Sequence, residues 1–440
     1  TRLRTVTGVQ TCALPISLWF LERQLEAAAA PKPRFGPNDR PGIALVGCGG
    51  MGSGDARNAS RFGDIVAVCD VDKNRAENAV KKFTKDGKTP AMFTDFRKVM
   101  ERDDVHIVVN GTPDHWHTLV NIAAANAKKD IYGEKPLTHS IDEGKHLIKA
   151  VRKNKIVLQT GTQQRSGQKF RLACELVRNG RIGKLKKVHV FVPGGLREGP
   201  FKTPQTVPEG LNWDFWLGPT PIVDYLKERC HTTFRWWFEY AGGPVTDWGA
   251  HHNDIARWGI GLDGPSYVEA RALAEPIPGG YNTPPEFEAR LLWPNGVEQL
   301  VRTTPDDAWN GSVIKQDGQR NGIKFEGTDG WVWVNRDDID ASKEDIIFTP
   351  LPESAMKLES SRDHMENFFE AVRSRKDPIC PVETGHRSAS VGHLIVIALR
   401  SGLKLDFDPV KEKFTGDNAK AGNAWLAREM RKPYSYDMLG

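Results

Sequence analysis

Residues 43–52 read IALVGCGGMG, and this stretch decides the fold of the 440-residue chain. Its four apolar residues are typical of a buried parallel strand, and a glycine-rich turn and a helical pattern follow them. The turn matches GxGxxG. Gly47 allows a tight turn, Gly49 lets the backbone approach a pyrophosphate, and Gly52 permits close helix–strand packing. The pattern alone is weak, but a position between a strand and a helix is the context that it requires.

A second predicted strand, Ile65–Cys69, ends at Asp70. A carboxylate at this position accepts hydrogen bonds from adenosine ribose hydroxyls and repels a 2′-phosphate. The sequence therefore predicts NAD as the cofactor and makes NADP the less favoured alternative. Lys73 and Arg75 are near enough in sequence to weaken this preference, and a structural turn without a ligand is the other interpretation.

The fold class follows from the order of the elements. Strands alternate with helices as far as residue 160, which predicts an N-terminal Rossmann domain with a doubly wound parallel sheet. Beyond Lys186 strand-like segments dominate, and two helices near Arg362–Ser374 and Ser388–Gly402 close the chain. This predicts a C-terminal α/β domain with a large, mostly antiparallel open sheet. We place the NAD-binding domain at 42–160 and the second domain at 161–440.

The first 41 residues are predicted to be artefactual or flexible. Val6–Ile16 reads VTGVQTCALPI, which resembles a translated sequencing adapter, and a disordered natural tail is the alternative. Ala27–Ala30 and the Pro31-Lys32-Pro33 that follows fit an export leader or a flexible linker equally well. The location is therefore open between the cytoplasm and export to the periplasm with prebound cofactor.

Charge and cysteine content exclude several classes of protein. The 61 Lys and Arg residues are interleaved with 56 Asp and Glu, so the net charge of +5 forms no nucleic-acid footprint. No apolar run approaches the roughly 18 residues of a membrane span. The six cysteines form no CxxC pair or zinc-finger spacing.

Three further motifs resemble the glucose–fructose oxidoreductase / inositol dehydrogenase (Gfo/Idh/MocA) family. They are Thr112-Pro113-Asp114-His115-Trp116-His117, Glu134-Lys135-Pro136, and the stretch GGPVTDWGAH at 242–251. The resemblance covers nearly everything from Gly42 to Tyr434. It implies the two domains above, with 161–440 as the substrate and oligomerisation domain, and oxidoreduction at CH–OH groups of a sugar or cyclitol. It also implies a homodimer or homotetramer formed through the exposed face of the second sheet.

The resemblance also implies the catalytic residues Lys135, Asp247 and His251. The lysine lies between nicotinamide and substrate, before an often cis Lys–Pro bond, where its ammonium stabilises alkoxide character. Asp247 and His251 share one face if their segment is helical. We expect His251 to accept the hydroxyl proton, because its ordinary pKa is near working pH, while Asp247 orients the substrate or the imidazole.

The predicted cofactor and substrate contacts complete the site. Cofactor contacts are expected from the glycine turn, the ribose carboxylate and the two following motifs, namely Gly47, Cys48, Gly49, Gly50, Met51, Gly52, Asp70, Thr112, Pro113, His117, Glu134 and Lys135. Substrate contacts are expected from Gln164, Arg165, Trp236 and His252. His252 is also the rival base, whereas Gln164 and Arg165 fit ordinary loop residues equally well and tryptophans mainly serve packing. No metal is predicted.

The leading functional hypothesis is net oxidation of a secondary hydroxyl of a sugar, sugar derivative or cyclitol. An alternative is a redox-neutral glycosidase or lyase in which tightly bound NAD oxidises the sugar only transiently. A second alternative is a non-catalytic sugar or dinucleotide sensor. Lys135, Asp247 and His251 together argue against the sensor, which needs no base beside a hydride path.

Overall fold

The computed structural model describes residues 39–303 and 321–439. Most of the predicted N-terminal segment, including Val6–Ile16, lies outside these residues. In the described ranges no helix combines the length and apolar character needed to cross a membrane.

The first sheet has six parallel strands in the order β3-β2-β1-β4-β5-β6, which is the Rossmann order. The central strand β1 is fully buried, as expected of a sheet covered on both faces. The predicted doubly wound sheet is thus confirmed. Its strands are β1 (Gly42–Val46), β2 (Asp64–Cys69), β3 (Ala91–Phe93), β4 (Ile107–Asn110), β5 (Asp130–Gly133) and β6 (Leu158–Thr160).

Three of the five helices that connect these strands are capped by side chains, and α1 and α4 are not. Asp72, Asp95 and Ser140 each accept a bond from the first turn of the helix that follows. Helix α1 begins after Gly49 with no side-chain cap, so its first N–H groups remain available to an anion. The helices are α1 (Gly50–Ala59), α2 (Lys73–Phe83), α3 (Phe96–Met100), α4 (Asp114–Asn126) and α5 (Ile141–Asn154).

The second sheet has nine strands in the order β13-β12-β11-β7-β10-β9-β8-β14-β15. Neighbours are antiparallel except β7 and β10, so the mostly antiparallel prediction is confirmed. An oligomer formed through its open face stays a prediction. The strands are β7 (Leu185–Phe191), β8 (Tyr267–Ala274), β9 (Glu286–Leu292), β10 (Glu298–Arg302), β11 (Gly322–Gly327), β12 (Trp331–Val334), β13 (Ile339–Ala341), β14 (Leu405–Asp408) and β15 (Lys413–Thr415).

Seven helices of the described chain follow β6. Three of them, α6, α8 and α11, pack on one face of the second sheet around Phe287, Phe325 and Val391. The seven are α6 (Gln168–Arg178), α7 (Trp213–Leu217), α8 (Trp248–Ile260), α9 (Glu344–Phe348), α10 (His364–Ser374), α11 (Val382–Ser401) and α12 (Ala419–Asn423).

Helix α10 packs against the first sheet, although it comes late in the chain. Phe368 and Phe369 share a buried cluster with Ile43 of β1. Arg375, just after the helix, forms a buried ion pair with Asp130 of β5 at 2.6 Å. A division at residue 160 therefore separates the two sheets, but it does not separate their cores.

The segment 193–241 between β7 and α8 has an aromatic core of its own that includes Trp216, Trp237 and Tyr240. This explains most of the local density of tryptophan as packing. Backbone bonds from Lys73 N to Gly210 O (3.0 Å) and from Asn212 N to Val71 O (3.0 Å) join the segment to the loop after β2.

Replacement of Phe368 by alanine tests the packing of α10 on the first sheet. The side chain is fully buried, so Phe368→Ala should lower the free energy of unfolding by about 3–5 kcal/mol. Phe348→Ala is the matched control, since 76% of that residue is exposed, and it should change stability by less than about 0.5 kcal/mol. Chemical denaturation measures both, and equal effects would contradict the packing described.

Candidate active site

A cavity of about 920 Å³ runs from the glycine turn to the first turn of α8. Its walls come from the carboxyl ends of the parallel strands, the start of α6, and the segment that precedes α8. Ligands of such sheets bind beyond the carboxyl ends of the strands. The cavity is therefore the candidate site.

The glycine turn is shaped by close backbone contacts. Gly47 has φ of 87°, and a Cβ on Gly52 would lie 2.2 Å from the oxygen of Gly47. Gly49, Gly50 and Met51 line the cavity, whereas Cys48 is 7% exposed and burial raises the pKa of its thiol.

Asp70 also lines the cavity, and its two oxygens accept bonds from Cys48 N (2.7 Å) and Asp72 N (2.9 Å). The carboxylate thus holds the glycine turn in place. Together with the uncapped start of α1, these residues fit a dinucleotide, with the pyrophosphate at the turn and the ribose beside Asp70.

His117 joins the loops under the middle of the cavity. Its Nδ1 lies 2.7 Å from the oxygen of Pro136 and its Nε2 lies 2.8 Å from the oxygen of Thr112. Thr112, Pro113 and His117 all line the cavity, so the structure brings this motif beside the Lys135 loop as predicted. The Lys135–Pro136 bond is cis.

Lys135 and Asp247 form an ion pair that bridges the two parts of the site. Lys135 Nζ donates to Asp247 Oδ1 at 2.8 Å and to the Asp247 carbonyl at 3.1 Å, and Arg235 Nε lies 3.3 Å from the same Oδ1. Burial acts to raise the pKa of Asp247, but the charges of Lys135 and Arg235 hold it below its ordinary value. Asp247 therefore stays ionised and orients the ammonium.

His251 lines the same cavity from the first turn of α8. Burial, with the nearby charges of Lys135 and Arg336, holds its pKa well below the ordinary value, so the imidazole is neutral. Within the described chain its Nδ1 has no partner. Asp247 precedes the helix and faces Lys135, so the expectation that Asp247 orients the imidazole is not supported.

Two buried carboxyl groups near the site were not singled out from the sequence. Asp55 of α1 lies against Glu134, and burial together with the Glu134 charge raises its pKa to about 9. Glu134 Oε1 also accepts from Gln163 at 3.1 Å. Asp114 lines the cavity, and burial raises its pKa to about 7.

Of the four predicted substrate contacts, the structure brings only Gln164 to the cavity. In the amide orientation that satisfies both neighbours, it donates to the carbonyl of His251 (3.1 Å) and accepts from Arg336 Nε (3.1 Å). Arg336 itself lies 4.7 Å from the centre of the Trp248 ring. Arg336 is thus a cavity residue that the sequence patterns did not indicate, whereas Trp248 belongs to the 242–251 motif but was not among the four predicted substrate contacts.

The other three predicted substrate contacts lie elsewhere, which corrects the expectation from the sequence. Arg165 is buried in an ion pair with Asp254 at 2.8 Å. His252 is fully buried and its Nε2 lies 3.0 Å from Asn321 Oδ1. Trp236 packs at the edge of the aromatic core of segment 193–241 and is not part of the cavity lining.

Among the described residues, no group of three His, Cys, Asp or Glu side chains is arranged to hold a metal ion. The fold and the cavity define a two-domain dinucleotide-binding protein with a lysine–aspartate pair at the far end of the cofactor cleft. Comparison with known proteins gives the family. The oxidoreductase family with an NAD-binding Rossmann fold (GFO_IDH_MocA) matches residues 42–162, and its C-terminal α/β domain matches 197–277 and 310–436. The chain belongs to the Gfo/Idh/MocA family.

Individual relatives are distant. An inositol 2-dehydrogenase of Salmonella paratyphi B is 30% identical over 206 residues, which is 46% of this chain and 59% of that protein. The chain thus spans less than two thirds of the length of this relative. A scyllo-inositol 2-dehydrogenase (NAD(+)) of Bacillus subtilis is 24% identical over 379 residues, with 85% of this chain and 98% of that protein covered.

A solved structure shares the fold. The WlbA dehydrogenase from Bordetella pertussis, in complex with NADH and UDP-GlcNAcA, superposes with a TM-score of 0.63 at 17% identity. The match covers 84% of this chain and 99% of that one.

Two alanine substitutions in the same helix test the cofactor turn. In Gly52→Ala the new Cβ meets the backbone of Gly47, so we expect the Kd for NAD to rise at least about tenfold, or about 1.4 kcal/mol. Gly54→Ala is the control, because no atom lies within 4 Å of its Cβ position, and it should bind NAD like the parent protein. Calorimetry measures both, and equal affinities would contradict the assigned cofactor site.

Proposed function

We propose that the protein is an NAD-dependent oxidoreductase that acts on a secondary hydroxyl of a sugar, sugar derivative or cyclitol. The observation that carries the proposal is the Lys135–Asp247 contact of 2.8 Å in a cavity that begins at a dinucleotide turn. When bound, NAD supplies the hydride acceptor or donor. The family and the names of its members support the reaction class.

Lys135 is proposed to stabilise the oxygen of the reacting carbon. Its side chain is only 10% exposed, so its charge acts in a medium where electrostatic stabilisation is stronger than in water. Asp247 and Arg235 limit the positions open to the ammonium. A fixed donor costs little reorganisation during the reaction.

His251 is proposed to take the hydroxyl proton. The imidazole is neutral because of its burial, so one ring nitrogen is free to accept. Its position four residues after Asp247 brings it to the same cavity as Lys135. Gln164 holds the backbone of this turn through the carbonyl of His251.

A specific observation favours redox-neutral turnover with retained cofactor as the second candidate. The segment 193–241 is joined to the loop after β2 by the two backbone bonds described above and by His231 Nε2, 3.3 Å from Asp72 Oδ2. His231 and Arg75 both line the cavity near Asp70. A dinucleotide under this segment would leave slowly, and net turnover requires it to leave.

Formation of NADH separates these candidates. With NAD and a panel of sugars, sugar acids and inositols, net oxidation gives stoichiometric NADH, which is measured by its absorbance. Redox-neutral turnover consumes the sugar without NADH and leaves cofactor in the purified protein, which mass spectrometry detects. A protein that binds NAD and sugar but converts neither would be a sensor.

Removal of the ammonium tests the role of Lys135. We expect Lys135→Met to lower kcat by about 10²–10³, because it removes the charge that stabilises the reacting oxygen. The Kd for NAD should stay within about threefold, since the glycine turn is untouched. Lys149→Met, at an exposed position of α5, is the matched control and should retain full activity. Full activity in Lys135→Met would exclude the proposed role.

The pH profile should report Asp114 rather than His251. Asp114 is neutral below about pH 7 and anionic above it, whereas His251 stays neutral across this range. We expect kcat/KM to inflect near pH 7 and Asp114→Asn to lose that inflection. An inflection that persists in Asp114→Asn would assign it to another group.

A further inference from the structure

Three positive features share one wall of the cavity at its substrate end. They are the side chains of Lys169 and Arg336 and the N-terminus of α6, and all line the cavity. Helix α6 begins after Gly167, and no side chain of the described chain caps it. The first amides of a helix lack partners within the helix and carry partial positive charge. We call these three features the cationic wall.

Neutral acceptors, not carboxylates, hold the two cations in place. Lys169 Nζ donates to the main-chain oxygen of Asp337, and Arg336 Nε donates to Gln164 at 3.1 Å. Arg336 also stacks on Trp248. No carboxylate oxygen of residues 39–303 or 321–439 lies within 4.0 Å of the charged nitrogens of Lys169 or Arg336. The charges of Asp337 and Asp247 act on Arg336 from farther away.

The carboxyl groups that line the cavity are engaged elsewhere. Asp70 holds the glycine turn, Glu134 accepts from Gln163, and Asp247 is paired with Lys135 and Arg235. Asp114 acts on Lys135 and Arg235 rather than on the wall. Lys169 Nζ is bonded to the main chain of the residue after Arg336, so the two exposed cations lie at the same edge of the cavity. An anionic ligand would be favoured beside them.

The dinucleotide phosphates are too far away to be that anion. They fit the turn after β1, whereas the cationic wall begins after β6, and β4 and β5 lie between these strands. Three strand spacings amount to about 14 Å. Gln164 and Trp248, which contact Arg336, lie beside His251 in the part of the cavity assigned to the substrate.

We propose that the cationic wall is an anion subsite and that the substrate is a carbohydrate that carries a carboxylate or phosphate group. This inference rests on the proposed function. The free N–H groups of the Arg336 guanidinium can pair with two oxygens of one anion, while Lys169 and the amides of α6 bind the remaining charge. A neutral cyclitol would leave the cationic wall without a counter-charge.

Matched pairs of sugars test the subsite. NADH formation is measured with glucose, glucuronate and glucose 6-phosphate, and with the three corresponding galactose compounds. We expect kcat/KM for one anionic class to exceed that for the neutral sugar at least about tenfold, and its KM to rise with added salt. The preferred class, uronate or phosphate, identifies the anion.

Substitution of Arg336 localises the effect. We compare kcat/KM for the anionic sugar with kcat/KM for the neutral sugar. Arg336→Gln should lower the ratio of the first to the second at least about tenfold, because the charged guanidinium that pairs with the anion is lost. Arg362→Gln is the matched control, because Arg362 is exposed and does not line the cavity, and its ratio should equal that of the parent.

The outcomes distinguish the two proposals. Equal use of neutral and anionic sugars, with an unchanged ratio in Arg336→Gln, overturns the subsite and leaves the proposed function intact. If no sugar yields NADH or is consumed, the proposed function fails. Calorimetry of NAD-loaded protein with glucuronate and glucose 6-phosphate then tests the subsite by itself. Binding that is weakened in Arg336→Gln supports the subsite, and absence of binding overturns it.

Discussion

The contact between Lys135 and Asp247 is the interaction on which the site depends. The lysine follows β5 of the first sheet and the aspartate precedes α8, which packs on the second, so the pair exists only when the two domains are packed together. Removal of either charge would leave the other charge largely desolvated. The unpaired charge destabilises the fold unless another partner replaces the lost one. Arg235 supplies a second cation to the aspartate, and His251 lines the same cavity four residues further along the chain.

Buried polar contacts beneath the cavity support this geometry. Arg165 and Asp254 pair at 2.8 Å between the loop after β6 and α8, and Ser388 of α11 donates to the same carboxylate at 2.5 Å. His117 similarly joins two loops of the first domain through the carbonyls of Thr112 and Pro136. The residues that face the ligand are therefore held by neighbours that do not touch it, as a preorganised site requires.

Local patterns predicted the two sheets and much of the site, because glycine turns and apolar runs act over a few residues. These patterns did not predict β3 and β5, because both strands are short and weakly patterned. They also could not show which polar side chains are buried. Arg165 and His252 looked like ligands in sequence, yet distant partners, Asp254 and Asn321, take up their polar groups. The raised pKa of Asp55 and the position of Arg336 likewise depend on contacts between residues far apart in the chain.

The packing of α10 on β1 has a consequence for synthesis on the ribosome. The nucleotide-binding half emerges first, and α1 and α2 cover part of one face of its sheet, but the remainder of that apolar face stays exposed until Phe368 and Phe369 have been translated. The nascent chain must keep this surface from aggregation for roughly two hundred residues of further elongation.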